Sequence, residues 1–99
     1  NTNTLIVGLL IEKLTGTTLE TQINNRIITP LGLQNTGFLT SGKQLPGSHG
    51  RGYYSGSYVP GKDVTETDDV SWAWAAGSAY STPRELQKYV ERLVEGGFL

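Results

Sequence analysis

Ninety-nine residues make at most one small domain, and 36% hydrophobic and 17% charged residues with 13 Gly mark a globular, loop-rich chain. A net charge of −1 offers no basic surface to a nucleic acid, and the lack of Cys excludes disulfides and thiolate metal sites while leaving the compartment open. The apolar run from Leu5 to Ile11 falls far short of the roughly 20 residues that span a bilayer, and it lacks the basic flank and cleavage site of a signal peptide.

The first predicted element is a helix over 3–15. Val7, Leu10, Ile11 and Leu14 follow the i, i+3, i+4, i+7 rule, and Leu5, Ile6 and Leu9 widen the apolar face. Such a helix is normally buried between layers. Gly8 in its middle costs about 1 kcal/mol against Ala, which predicts close packing against another backbone. Gly16 suits the C-terminal stop. The abrupt apolar opening and the absence of Met predict a segment of a longer protein.

A second helix follows. Thr17-Thr18-Leu19-Glu20 fits a capping box with Thr17 as N-cap and Glu20 at the third position. Leu19, Ile23 and Ile27 share a stripe, while Gln22, Asn24, Asn25 and Arg26 fill the wet side. Pro30 is expected to end the helix by pushing Thr29 out of the helical region. The turn that follows should point Leu31, Leu33 and Phe38 inward. Residues 40–70 read as irregular, with many Gly and with Pro46 and Pro60. A short hairpin is read there, with Tyr53 and Tyr58 facing each other around Ser55-Gly56. An irregular stretch of that length is usually functional or packed against something else.

The last helix has the clearest start. Thr82 is its N-cap, Pro83 its first residue and Glu85 its third. Leu86, Tyr89, Val90, Leu93 and Val94 make one stripe, and Gly96 is the stop. The fold class expected is mainly α: three helices plus a long Gly-rich loop with a short hairpin, one partial domain over 1–99.

The residues offer little chemistry. His49 is the single His, so it makes no metal site by itself, and a structural role in its Gly-rich loop is the better reading. Asp63, Glu66, Asp68 and Asp69 lack the spacing of a calcium loop and read as a solvated face. Neither a nucleophile elbow nor a phosphate-binding loop is present. Two stretches stand apart. "SWAWAAGSAYSTPREL" places two Trp ahead of a capped helix, as an aromatic wall beside a cleft or as core, with core preferred for Trp74. Asn1, just before the first helix, either caps it or presents its amide to a ligand near free backbone N–H groups.

The ordered set of Asn1, Gly8, Ile11-Glu12-Lys13, Thr15-Gly16, Pro30-Leu31-Gly32-Leu33, Thr36, Gly52-Tyr53, Trp72, Ala76-Gly77, Ser81-Thr82 and Glu85-Leu86 resembles the serine β-lactamase and penicillin-recognising family. The nearest branch is that of the D-alanyl-D-alanine carboxypeptidases, with class C β-lactamases and esterases further off. The resemblance runs over essentially all 99 residues. It implies the helical region of a β-lactamase/transpeptidase-like α+β fold. It also implies a serine hydrolase that cleaves peptidoglycan stem peptides through an acyl-enzyme and works outside the cytoplasmic membrane.

The family's Ser-x-x-Lys is absent, and Thr40-Ser41-Gly42-Lys43 is only a Thr-x-x-Lys. Its Lys-Thr-Gly strand is also absent, although Lys13-Leu14-Thr15-Gly16 imitates it. Asn1 matches the last residue of the family's Tyr-x-Asn and so takes the catalytic role, on the substrate's amide carbonyl or on the Lys. Trp72 takes the substrate-binding role. The implied partners are the remaining α/β region and a peptidoglycan peptide or β-lactam. No cofactor, metal or nucleic acid is implied, and this stretch alone is expected to be inactive. The rival readings are a β-lactamase or esterase of the same fold and a non-catalytic peptide-binding relative.

Overall fold

The computed structural model of the chain describes residues 1–42, 44–57 and 59–96. Helix α1 runs Thr2–Thr15 and stops at Gly16, which adopts the left-handed φ of 69° and donates its N–H to the Glu12 carbonyl at 2.9 Å. Gly8 is its buried residue. A Cβ built on Gly8 would lie 2.8 Å from the Ala75 Cβ and 3.0 Å from Cη2 of Trp74. The expected close approach is present, but its partners are side chains.

Helix α2 (Leu19–Ile23) begins one residue later than the capping box predicted. Thr18, not Thr17, is the N-cap and accepts from the Thr21 N–H at 3.2 Å. The reason lies in α1: Glu12 accepts the Leu19 N–H at 2.8 Å, so the first free donor of α2 is already satisfied by the preceding helix. Thr17 is drawn instead into contacts with Thr15 and with the Gln22 amide.

Pro30 does not end the helix. The chain passes through a π-helical turn (Asn24–Ile28) into a last helical turn, α3 (Thr29–Leu31), with Thr29 helical at φ −65° and ψ −50°. The wider turn pairs the Thr29 N–H with the Asn24 carbonyl, five residues back. That shifts the carbonyl row which a proline ring otherwise strikes. The stop comes at Gly32, φ 60°, where Gly32 N–H bonds the Thr29 carbonyl at 3.1 Å and Leu33 N–H bonds the Ile28 carbonyl at 3.0 Å. These two bonds form a Schellman closure. Leu31 and Leu33 are buried as expected, and with Leu19 they make the core.

Strand β1 (Gly37–Phe38) pairs antiparallel with β2 (Ala79–Tyr80), Gly37 opposite Tyr80, and was not anticipated from sequence. A Cβ on Gly37 would lie 2.2 Å from the Tyr80 hydroxyl oxygen, so only Gly lets that ring cross the strand. Between the strands, Tyr53 bridges Asp63, and Tyr54 N–H bonds the Lys62 carbonyl at 2.8 Å. A hairpin exists, but Tyr53 faces Asp63; Tyr58, its expected partner, lies outside the described residues. Ser71–Ala76 forms two 3-10 turns with a kink at Trp74. Helix α4 (Pro83–Glu95) follows, with Thr82 accepting from the Glu85 N–H at 3.3 Å, as predicted.

The apolar faces exceed what these elements cover. Ile6 is 58% and Leu9 59% exposed, and Leu86, Val90, Leu93 and Val94 of α4 also face outward. The accessible surface is 7291 Å², against the ~5,500 Å² expected of a folded monomer of 10.7 kDa. The radius of gyration is 15.4 Å, against the ~12.6 Å expected of a 99-residue domain. Among the described residues no helix is long and apolar enough to cross a membrane.

Candidate active site

Asn1 occupies the N-cap position of α1, yet its side chain makes no capping hydrogen bond. The helix start is closed by Asn1's backbone carbonyl, which accepts from the Thr4 hydroxyl at 2.8 Å and from the Leu5 N–H at 3.1 Å. Of the two readings of Asn1, capping is therefore not its use here.

Trp72 and Trp74 differ in exposure. Trp72 is 81% exposed, whereas Trp74 is half-buried with its ring against Gly8. The 3-10 segment thereby lies on α1, two turns from Asn1. Seven residues of helix span about 10 Å. A shallow apolar groove of about 380 Å³ runs along the same stretch of α1, lined by Asn3, Thr4, Val7, Gly8 and Ala75 among others. Asn1 and Trp72 thus attach to one helix, although neither side chain lines that groove.

Sequence reasoning missed the long-range role of Glu85, which gathers several donors. Glu85 accepts from the Gln34 N–H (2.9 Å), the Asn35 N–H (3.0 and 3.1 Å to its two oxygens), the Asn35 side-chain amide (3.1 Å) and the Thr36 hydroxyl. The Thr36 hydrogen is committed to Glu85, so Ser81 is the donor in the 2.7 Å contact between their hydroxyls. The Thr36 hydroxyl first, then the Asn35 and Gln34 donors, hold the Glu85 carboxyl below the usual carboxylate range. With its lone pairs taken up, this carboxylate is a clamp between the 33–36 turn and α4, not a free base.

A second clamp closes the irregular stretch. Asp63 accepts from Thr65 through its hydroxyl (2.7 Å) and N–H (3.0 Å), and it pairs with Arg51. Thr65 in turn accepts the Gly52 N–H at 2.8 Å. The Thr65 hydroxyl and Arg51 lower the Asp63 pKa to about 2. His49 turns back on its own loop, its Nδ1 2.9 Å from the Gly47 carbonyl, consistent with the structural reading. Asp63 serves this loop, while Glu66 and Asp68 are exposed as a solvated face requires.

Asn1 thus stands at the head of α1, and the outward indole of Trp72 belongs to the 3-10 segment packed against that helix. The chain belongs to the Beta-lactamase family, whose family model matches residues 1–99. It is similar to the D-stereospecific amidohydrolase from Streptomyces sp., at 33% identity and a TM-score of 0.90, over 99% of this chain and 29% of that one. It is also similar to the D-amino acid amidase from Ochrobactrum anthropi SV3, solved with D-phenylalanine, at 30% identity and a TM-score of 0.74, over 95% of this chain and 29% of that one. The chain thus spans under a third of the length of these relatives. The family expected from the sequence and the helical portion of its fold are both shown.

Proposed function

We propose that this chain is the helical part of a serine hydrolase that cleaves an amide bond on the carbonyl of a D-amino acid residue. The observation that supports this most is the fit of 99% of the chain to a D-stereospecific amidohydrolase at a TM-score of 0.90. In this reading a Ser from the remainder of the protein attacks the amide carbonyl. The amine leaves with a proton, and water hydrolyses the acyl-enzyme. Asn1 donates its free side-chain amide to the substrate carbonyl or orients the catalytic Lys. Trp72 lies against the apolar part of the substrate. The uncovered faces of α1 and α4 are the seat of the α/β region.

A D-alanyl-D-alanine stem peptide has the same chemistry at the scissile bond, with D-alanine in place of ammonia as leaving group. The resemblance of Asn1, Trp72 and the Ser81-Thr82 helix start to the carboxypeptidases supports that substrate, and with it a place outside the cytoplasmic membrane. A full-length protein carrying Ser-x-x-Lys upstream of Asn1 should be assayed on D- and L-phenylalanine amide, a D-Ala-D-Ala peptide and a chromogenic cephalosporin. Turnover of a D-amide or of the D-Ala-D-Ala peptide, with the L-amide poorly used, is expected. Turnover of the cephalosporin alone makes the protein a β-lactamase. Failure to turn over any of them leaves a peptide-binding relative.

A further inference from the structure

We propose that Trp74, seated on Gly8 of α1, is a positioning residue that sets where Trp72 stands relative to Asn1 and so governs acceptance of large apolar side chains. The inference rests on the reading of Trp72 as a substrate contact. It starts from the backbone. Trp74 has φ 40° and ψ −123°, and among the described residues it is the non-glycine residue with positive φ. A bulky side chain there is an outlier, and it persists only where its surroundings over-determine it.

Those surroundings are visible. The Trp74 ring lies over Gly8, where an added Cβ would come within 3.0 and 3.1 Å of two ring carbons and 2.8 Å of the Ala75 Cβ. The Trp74 carbonyl accepts both the Gly77 N–H (3.2 Å) and the Ser78 N–H (3.1 Å). Ring and backbone are thus both pinned. With Trp74 turned in toward α1, Trp72 two residues earlier is turned out, and among the described residues it is the most exposed of the large aromatic side chains. Asn1 sits at the head of the helix that carries the socket. The contact between Gly8 and Trp74 is therefore the joint between the amide donor and the indole. It explains why a helix accepts Gly at this position despite the cost in helix propensity.

The test uses the full-length protein, with D-phenylalanine amide and D-alanine amide as paired substrates. Gly8→Ala should raise KM for the aromatic amide about five-fold, with kcat changed less than about two-fold and the small amide little affected. In a Trp72→Ala background the same change should add less than about two-fold, because Gly8 acts through Trp72. Gly8→Ala with Ala75→Gly should recover part of the loss. An unchanged preference between the two amides, or an equal loss on both in both backgrounds, overturns the proposal.

A second readout does not depend on turnover. Acrylamide quenching of the protein minus that of Trp72→Phe reports the exposure of Trp72. It should change in Gly8→Ala and in the milder Trp74→Phe, which serves if Gly8→Ala does not fold. Unchanged Trp72 quenching overturns the positioning role. A protein that hydrolyses neither amide, yet shows the quenching shift, keeps the joint and loses the functional reading.

Discussion

The Glu85 carboxylate on α4 accepts the backbone N–H of Asn35 at 3.0 Å, across 50 residues of sequence. With the Gln34 N–H and the Thr36 hydroxyl it ties the end of the α2–α3 unit to the start of α4, beside the two-stranded sheet. The carboxylate is needed as an acceptor only. Glu85→Gln should therefore destabilise the fold as Glu85→Ala does, because an amide nitrogen facing these donors repels them. Its pKa is lowered in the fold, so its contribution is full above the ordinary value near 4.5 and is lost as pH falls through the folded value. Thermal melts across pH 3 to 7 (roughly the carboxylate range) should show the wild type and Glu85→Gln converging at the acid end. Parallel curves contradict the clamp.

The Asp63 clamp yields a second, lower window. Its pKa of about 2 against an ordinary 3.8 means that the clasp on Arg51 and Thr65 holds above the ordinary value and opens as pH falls through about 2. Proteolysis within 51–65 should stay slow at pH 4 and rise in Asp63→Asn at the same pH. Equal cutting of the two proteins removes the clasp. Because the pair is exposed, its opening should leave the global melt nearly unchanged.

Ser78 is 1% exposed, and among the described residues its hydroxyl has no hydrogen-bond partner. An unpaired buried hydroxyl is a cost of about 1–3 kcal/mol that Ala avoids. Ser78→Ala should leave the melting temperature unchanged or raise it. A fall equivalent to more than about 1 kcal/mol would show that the hydroxyl is bonded in the working protein.

The 99-residue chain by itself should be poorly stable. Ile6 and Leu9 on α1 and the outer stripe of α4 have nothing over them here, and apolar patches of this kind bind dyes and partners. The isolated chain should bind a hydrophobic dye and melt over a broad range. A sharp melt of a monomer that binds no dye counts against this.

What the sequence made legible was local chemistry. Thr82-Pro83-Arg84-Glu85 announced α4 because a cap, an N1 proline and an N3 acid act within four residues. The burial of Leu31 and Leu33 followed from their place in a compact turn. Where local signals competed, tertiary contact decided. Glu12 moved the N-cap from Thr17 to Thr18, and the π turn carried the helix through Pro30. The role of Glu85 was illegible because its partners lie 49 to 51 positions away, and nothing local distinguishes a capping-box acid from a long-range clamp. The outward Trp72 and inward Trp74 were half legible. The sequence favoured the core for Trp74, but the Gly8 socket that turns its ring in is long-range.

The most direct test of the proposed role of this segment is steady-state kinetics of the full-length protein and its Asn1→Ala and Trp72→Ala variants on a D-amino acid amide. Asn1→Ala should lower kcat and kcat/KM together, by roughly 1.5–3 kcal/mol if its partner is charged in the transition state. Trp72→Ala should raise KM and spare most of kcat, because an apolar contact is much the same in ground and transition states. The contrary result is wild-type kinetics in both variants of a protein that hydrolyses the amide; it would place the reacting substrate away from both residues.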